Sequence, residues 1–466
     1  MNNQISRNTP KGLENGIAKT AGAFNLIKFD ITNSKGETRD IRRLVESFTI
    51  TEELFSPVIT LAAAIRDTVN FFEDFGINGQ EIINVEIEKI SDNPQINAAT
   101  PIKNIKLKLA VMEYPNYEKL ASSPNIQKYS MIAISDFAYL SALTKISKSV
   151  KNSVISNIQS IFKNDLNVIV QTPTKIPTTM FDGIITIQSP LRATDWLRSK
   201  LFDSSGSPFF LYNTISENKP RLSSWTEFVA EKSYRKYVYR QFLQNSANTP
   251  EAYAESLTRI IEMQSHMKLN KLDLAKAGAF ASIVNVTDFG NKTWTQQVFN
   301  ADKSGAVTSQ TLISSSNVTS AFGSTYSEAL SFFSKGVTVK PQALTSMPNA
   351  SMVNLNVTTT TNPSTNLNST SGPLLSNIGN AKAFAARMNS ITHEIIVYGD
   401  LYLNPGRRIE LEIPKAVNVD KYGEDLKTSY TTIDKRISGT YIVSVVTHSF
   451  IDGYYTSKLR IVSDKL

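Results

Sequence analysis

Cysteine is absent from the 466-residue chain. That absence excludes disulfide staples, thiolate metal sites and cysteine catalysis, and it leaves the redox compartment open. Histidine is scarce as well. The three present, His266, His393 and His448, lack the spacing that puts two ligands on one helix face. No apolar run reaches the roughly eighteen residues of a membrane-spanning helix, so no membrane insertion is expected. The N-terminus is polar, with Lys11, Lys19 and no apolar stretch before Ala21, and does not read as a signal peptide. Neither a P-loop nor a Gly-x-Gly-x-x-Gly fingerprint occurs.

What is present describes an ordinary globular chain, with 41% hydrophobic and 19% charged residues. Its length exceeds what one hydrophobic core organises, so several domains are expected. The formal charge of +8 is spread over scattered basic residues without a dense basic and aromatic cluster. It therefore reads as a modest surface excess and not as a nucleic-acid site.

Residues 1–22 show no periodicity and read as a flexible arm. Asn25–Thr32, the turn Asn33-Ser34-Lys35-Gly36 and Arg42–Thr51 suggest a hairpin. Alternating Ile59, Leu61, Ala63 and Ile65 follow Pro57, and Phe71, Phe72 and Phe75 form an aromatic patch of core character. Further strands are expected at Ile83–Ile87, Ile105–Val111 and Tyr129–Ser135. In the middle of the chain Ser153–Phe162 carries apolar residues at helical spacing. Ser189-Pro190 opens a second helix, and Ser207–Tyr212 reads as a buried strand. Glu251–Met267 has the pattern of an amphipathic helix, with His266 near its end, where the dipole favours a cation. From about 303 to 373 Ser, Thr and Asn dominate, as in a linker or exposed insertion. Asn380–Met388, rich in alanine, reads as helical.

The last 76 residues, Ile391–Leu466, are the most informative. Thr392–Tyr398 is a strand. Asn404-Pro405-Gly406 suits a type II turn, and Ile409, Leu411 and Ile413 alternate with Glu410 and Glu412. Gly439–Phe450 and Tyr454–Val462 flank the hairpin signal Asp452-Gly453. This stretch repeats an earlier one. Ile83–Lys89 aligns with Ile409–Lys415, each after an Asn/Gly turn and each followed by two strands ending near Ser135 and Ser463, about fifty residues on. One barrel-like unit used twice is the expectation.

Candidate chemistry is thin. His393 and His448 fall in terminal strands and read as sheet-face residues. Glu410 and Glu412 share a strand face and could mimic an acid/base pair, but the first copy has Asn84 and Glu86 there, so exposure explains them more simply. Trp196 and Trp225 are the candidates for a carbohydrate groove, with Trp196 on an apolar stripe of core character. The sequence nominates no catalytic, cofactor-binding or metal-ligating residue. No enzymatic activity and no cofactor are expected.

Gly399-Asp400-Leu401, Pro405-Gly406, the Ile409–Ile413 strand, Ser438–Val443 with Tyr441, His448 and the closing Tyr455–Ser463 strand resemble the second tube domain of baseplate hub proteins of contractile-tailed bacteriophages. Arg407 stands where that family has an acidic residue. Phe48–Asp67, with Glu52 or Glu53, Pro57 and Asp67, resembles the family's first domain, as do Ile77–Glu81 and the Ser189–Tyr212 segment. The resemblance covers about half of the chain in three blocks and is carried by their order.

The resemblance implies a mainly β, α+β chain. Two similar antiparallel β-barrel tube domains would occupy 23–147 and 381–466, with a mixed α/β region at 148–380. It implies a homotrimer whose six barrels match the sixfold tail tube above to a threefold central spike below. Wedge proteins would lie outside. The lumen would hold the end of the tape measure protein and pass viral DNA without specific binding. The location implied is the virion baseplate, assembled in the host cytoplasm. A hub from a type VI secretion system or tailocin is the near alternative; such chains carry a spike after the hub domains, whereas this sequence ends after the closing strand. A β-rich carbohydrate-binding or hydrolytic tail protein is the distant alternative.

Overall fold

The computed structural model describes residues 13–14, 17–18, 22, 24–89, 104–119, 126–175, 177, 181–203, 207–239, 256–267, 281–288, 293–300, 351–357, 384–385, 388, 391–415, 433–451 and 453–463. The chain opens with β1 (Leu13–Glu14) and β2 (Ile17–Ala18), which pair with each other. Then come β3 (Phe24–Thr32), β4 (Thr38–Asp40), β5 (Val45–Glu53), β6 (Ser56–Asp67), α1 (Phe71–Asp74), β7 (Ile82–Lys89), β8 (Asn104–Glu113), β9 (Glu118–Lys119) and β10 (Gln127–Ser135). The middle holds α2 (Asp136–Leu143), β11 (Ile146–Val150), α3 (Val154–Asp165), β12 (Gly183–Gln188), α4 (Pro190–Arg198), β13 (Phe209–Tyr212), β14 (Arg221–Ser224), α5 (Trp225–Ala230) and β15 (Lys236–Val238). The last part holds β16 (Ile260–Met267), β17 (Ala281–Asp288), β18 (Thr293–Asn300), β19 (Ser351–Val357), β20 (Ile391–Tyr398), β21 (Arg408–Glu412), β22 (Gly439–Ile451) and β23 (Tyr454–Ser463).

The expected mainly β character is found, and three helices begin at recognisable local signals. Ser153 accepts a hydrogen bond from the Ser156 N–H at the start of α3, and Pro190 occupies the first turn of α4. Ser224 and Glu227 form a capping box on α5. α3 and α4 bury Ile155, Ile158, Ile161, Phe162, Ala193 and Leu197 in one cluster with β13 and β14.

Among the described residues the ladders do not close into two separate barrels. Fourteen strands make one sheet in the order β16-β20-β23-β22-β5-β6-β10-β8-β7-β3-β4, with β21 and β15 branching from β22, and β9 from β10. The sheet is continuous because β5 pairs antiparallel with the second half of β22, Ser47–Glu53 against Val445–Ile451. The first hairpin also differs from expectation. β3 pairs with the short β4 and with β7, while the Arg42–Thr51 segment supplies β5, which pairs with β6 and β22. The expected helix over Glu251–Met267 is strand from Ile260 onward, so His266 lies in β16 and not at a helix end. The apolar spacing fits a helix face, but β20 offers an unpaired edge and its ladder with residues 260–267 satisfies both backbones. Most of the Ser/Thr/Asn-rich segment, of the N-terminal arm and of 380–388 lies outside the described residues; Ser351–Val357, inside that segment, forms β19 beside β17.

The repeat extends well beyond the strand that announced it. β5, β6, β7, β8 and β10 lie in the spatial order 5-6-10-8-7, and β16, β20, β21, β22 and β23 in the order 16-20-23-22-21. Position by position these are the same arrangement. The irregularities coincide too: the β5–β6 ladder shifts between Val45 and Ser47, and the β16–β20 ladder shifts between Ile260 and Glu262. The β8–β10 ladder skips Met112, just as β22–β23 skips Ser444. Outside the bulge the Val111 N–H bonds the Glu81 carbonyl, and the Val443 N–H bonds the Arg407 carbonyl. The turns before β7 and β21 each use a glycine at positive φ, Gly79 at 86° and Gly406 at 84°. Bulges are specific features of a strand pair, so two coincident ones mark Leu109 and Tyr441, Ser135 and Ser463, and Val45 and Ile260 as equivalent positions.

Candidate functional site: the junction between the repeated strand sets

The two sets meet where β22 changes partner. Its residues Gly439–Ile442 pair with β21 and Val445–Ile451 pair with β5. The bulge at Ser444 is the switch point, and the Ser444 carbonyl accepts the Leu54 N–H at 2.8 Å. Bending one strand so that its edge passes from one neighbour to another is what a bulge does. Phe48 stacks on Phe450 with centroids 4.5 Å apart, and Phe450 stacks on Tyr455 at 4.4 Å. Phe24 meets Phe450 edge-on at 4.9 Å. This aromatic column fuses the sets through packing as well as through the ladder.

A sealed polar chain runs beside the column. Glu52, fully buried, has Oε1 2.9 Å from His448 Nε2, and its Oε2 accepts the Ile215 N–H at 2.7 Å. His448 Nδ1 lies 2.7 Å from the Tyr455 hydroxyl and 3.4 Å from Ser457 Oγ. One tautomer satisfies the group: Tyr455 donates to Nδ1, and Nε2–H donates to Glu52. Burial pushes the Glu52 carboxyl above its usual range, against the pull of His448 and the Ile215 N–H. Burial likewise raises the Tyr455 phenol and keeps it a neutral donor. Ser457 continues the chain by accepting the Asp400 N–H at 3.4 Å. Asp400, 1% exposed, lies 2.9 Å from Arg235 Nη1 and accepts the Tyr234 hydroxyl at 2.8 Å. Burial opposes the Arg235 charge, and Asp400 together with Tyr237 and Tyr234 more than offsets it.

A carboxylate, an imidazole and a hydroxyl in contact have the parts of a nucleophilic relay. Glu52, His448 and Tyr455 are each 0% exposed, however, so no substrate reaches them. Their chemistry is to bind β5, β22, β23 and the 213–216 segment together.

The residues weighed from sequence are dispersed. His393 is buried, held by Ser265 Oγ at 3.0 Å and the Tyr441 hydroxyl at 3.3 Å, and burial pushes its pKa down to about 4, so it is neutral. Glu412 is ion-paired with Lys236 across the parallel β15–β21 ladder, and the Glu410 N–H bonds the Arg235 carbonyl. Trp225 is 5% exposed among Phe210, Phe228 and Phe384, and offers no sugar platform. Trp196 is half-buried against Phe181 with Lys200 Nζ 5.6 Å from its ring centre. Glu52, Asp67 and His448 stood in the resembling motifs, but nothing local tied Glu52 to His448, 396 residues away. Asp67 and Glu81 act as turn anchors. Asp67 accepts the Val69 and Phe72 N–H groups, while Glu81 accepts those of Asn78 and Gly79 and the Tyr114 hydroxyl.

No family model matches the chain, and no curated protein sequence matches it. Solved structures do. In fold the chain is similar to tail proteins, one of them from a prophage. A tail protein from Neisseria meningitidis MC58 is 10% identical, with 95% of this chain and 97% of that one covered and a TM-score of 0.49. The 43 kDa tail protein of prophage MuSo2 from Shewanella oneidensis is 8% identical, with 94% and 98% covered and a TM-score of 0.48. A component of the Escherichia coli type VI secretion system is 9% identical, with 94% and 76% covered and a TM-score of 0.39.

Proposed function

We propose that the chain is a structural baseplate hub of a contractile phage tail, a trimer whose six repeated units join the sixfold tail tube to a threefold spike. The observation that carries this reading is the duplication. One five-strand arrangement occurs twice with the same order and the same two bulges, and the copies are joined edge to edge within the chain. A subunit holding two equivalent units gives a threefold assembly a quasi-sixfold face, as a symmetry adaptor requires. The motif resemblance at Phe48–Asp67, Ile77–Glu81 and Gly399–Ser463 supports the same family. Each unit would form a barrel wall around a lumen passed by DNA and occupied by the tape measure protein. The α/β middle would face wedge and spike proteins. In this reading the sealed Glu52–His448 link keeps the two units of one subunit at a fixed angle.

Size-exclusion chromatography with light scattering, followed by negative-stain imaging, tests the proposal. The expected species has about three times the 51.6 kDa chain mass and a ring outline with a central hole. A compact monomer, both alone and mixed with the neighbouring spike protein, overturns it.

A further inference from the structure

Among the described residues, the junction inside the chain has an unfilled counterpart. With Val45 equivalent to Ile260, the β5 edge that docks on β22 corresponds to residues 262–267 of β16. With Met112 equivalent to Ser444, the half of β22 that receives β5 corresponds to the chain after Met112, through β9. Among the described residues neither stretch has a strand on that side. β16 ends the sheet, pairing only with β20, and residues 113–119 face only β10.

Burial separates the filled junction from the empty one. Phe48, Ile50 and Glu52 on β5, and Val446, His448 and Phe450 on β22, are all buried. At the equivalent positions Met263 and Tyr114 are half-buried, and Ser265, Tyr117 and Lys119 are exposed. The open edge is already shaped as a surface. Tyr114 and Tyr117 pack with Phe72 and Tyr129 at centroid distances of 5.5 to 6.3 Å, leaving Tyr117 42% exposed. Pro115, which lacks an N–H, does not block pairing. Its carbonyl accepts the Ser130 N–H, so that residue's polar groups face β10 and not the open edge.

We propose that β16 of one chain docks antiparallel on residues 114–119 of a second copy of this chain, in the register of the internal junction. Tyr114 then faces Met267, Pro115 faces His266, Tyr117 faces Ser265, Glu118 faces Gln264 and Lys119 faces Met263, with Asn116, at φ 58°, as the one extra residue. The contact is heterologous, because one edge of each chain meets a different edge of the next, so copies add head to tail until the ring closes. Each step pairs two strand edges that have no neighbour among the described residues. Only the number of copies at closure, three, rests on the hub reading.

The absence of native cysteine allows a direct test on the full-length chain. Glu118 and Gln264, both exposed, correspond to Ser449 and Thr49. That pair exchanges no hydrogen bonds, the closer type at about 4.5 Å between Cα atoms, within disulfide range. Mixing Glu118→Cys protein with Gln264→Cys protein under mild oxidation is expected to give a reducible dimer of about twice 51.6 kDa. Each variant alone gives none. The doubly substituted chain is expected to give linked species up to the closed ring. An oligomer by light scattering that does not cross-link here, or cross-links equally between Glu118→Cys and Ser265→Cys on the opposite face, overturns the junction and leaves the hub reading standing. A monomer at every concentration, with the spike protein present and no cross-link, overturns both.

Discussion

Glu52 is the residue on which the link between the two strand sets turns, and its replacement by alanine is the most informative perturbation. Glu52→Ala strands the Ile215 N–H and the His448 ring N–H in a site with no solvent access. An unsatisfied buried donor costs about 1–3 kcal/mol, and the lost side-chain packing adds to two of them, so the expected destabilisation is roughly 3–5 kcal/mol. Glu52→Gln keeps an oxygen for Ile215 and, with the other His448 tautomer, an amide donor to the ring. Its expected cost is below about 1.5 kcal/mol. Urea unfolding at fixed protein concentration reads both, because any assembly makes stability depend on concentration.

The same site sets a pH dependence of known sign. The folded-state Glu52 pKa lies above its ordinary value, so the folded chain holds this proton more tightly than the unfolded chain. Its contribution is greatest below the ordinary carboxylate range and is lost as pH rises through the elevated value. Glu52→Gln should remove that slope. An alanine variant within about 0.5 kcal/mol of the parent, or a glutamine variant as damaging as alanine, would refute the reasoning.

Two further outcomes follow from the same region. A Cβ at Gly399 would lie 2.2 Å from the Tyr455 ring, which is fully buried and stacked on Phe450; Gly399→Ala should therefore cost roughly 3 kcal/mol or more and reduce near-ultraviolet circular dichroism and soluble yield. Asp400→Asn leaves Arg235 charged, half-buried and without its counter-ion, which should lower stability by roughly 2–4 kcal/mol, and adding Arg235→Met should recover part of that loss in the same urea measurement.

The sequence by itself determined the local elements and the existence of a repeat. Period-two alternation located β6, β7, β8 and β21 because a half-buried sheet face repeats every second residue. Apolar spacing over Ser153–Phe162 and the Ser189-Pro190 pair placed two helices, and Asn404-Pro405-Gly406 placed a turn, because helical periodicity, a proline-fixed φ and a glycine at positive φ are properties of neighbouring residues. The similarity of Ile83–Lys89 to Ile409–Lys415 was legible for the same reason. Tertiary structure alone decided which edges meet. Residues 260–267 carry a helical spacing and still became β16, because the ladder with β20 outweighs a weak local preference. The Glu52–His448 contact joins segments almost a chain length apart, and no local pattern encodes it. Whether the repeat stands as two barrels or one shared sheet likewise depended on β22 bending at Ser444 to take β5 as a partner. That pairing is a property of edges brought together in space, to which the residues on either strand contribute but which neither specifies alone.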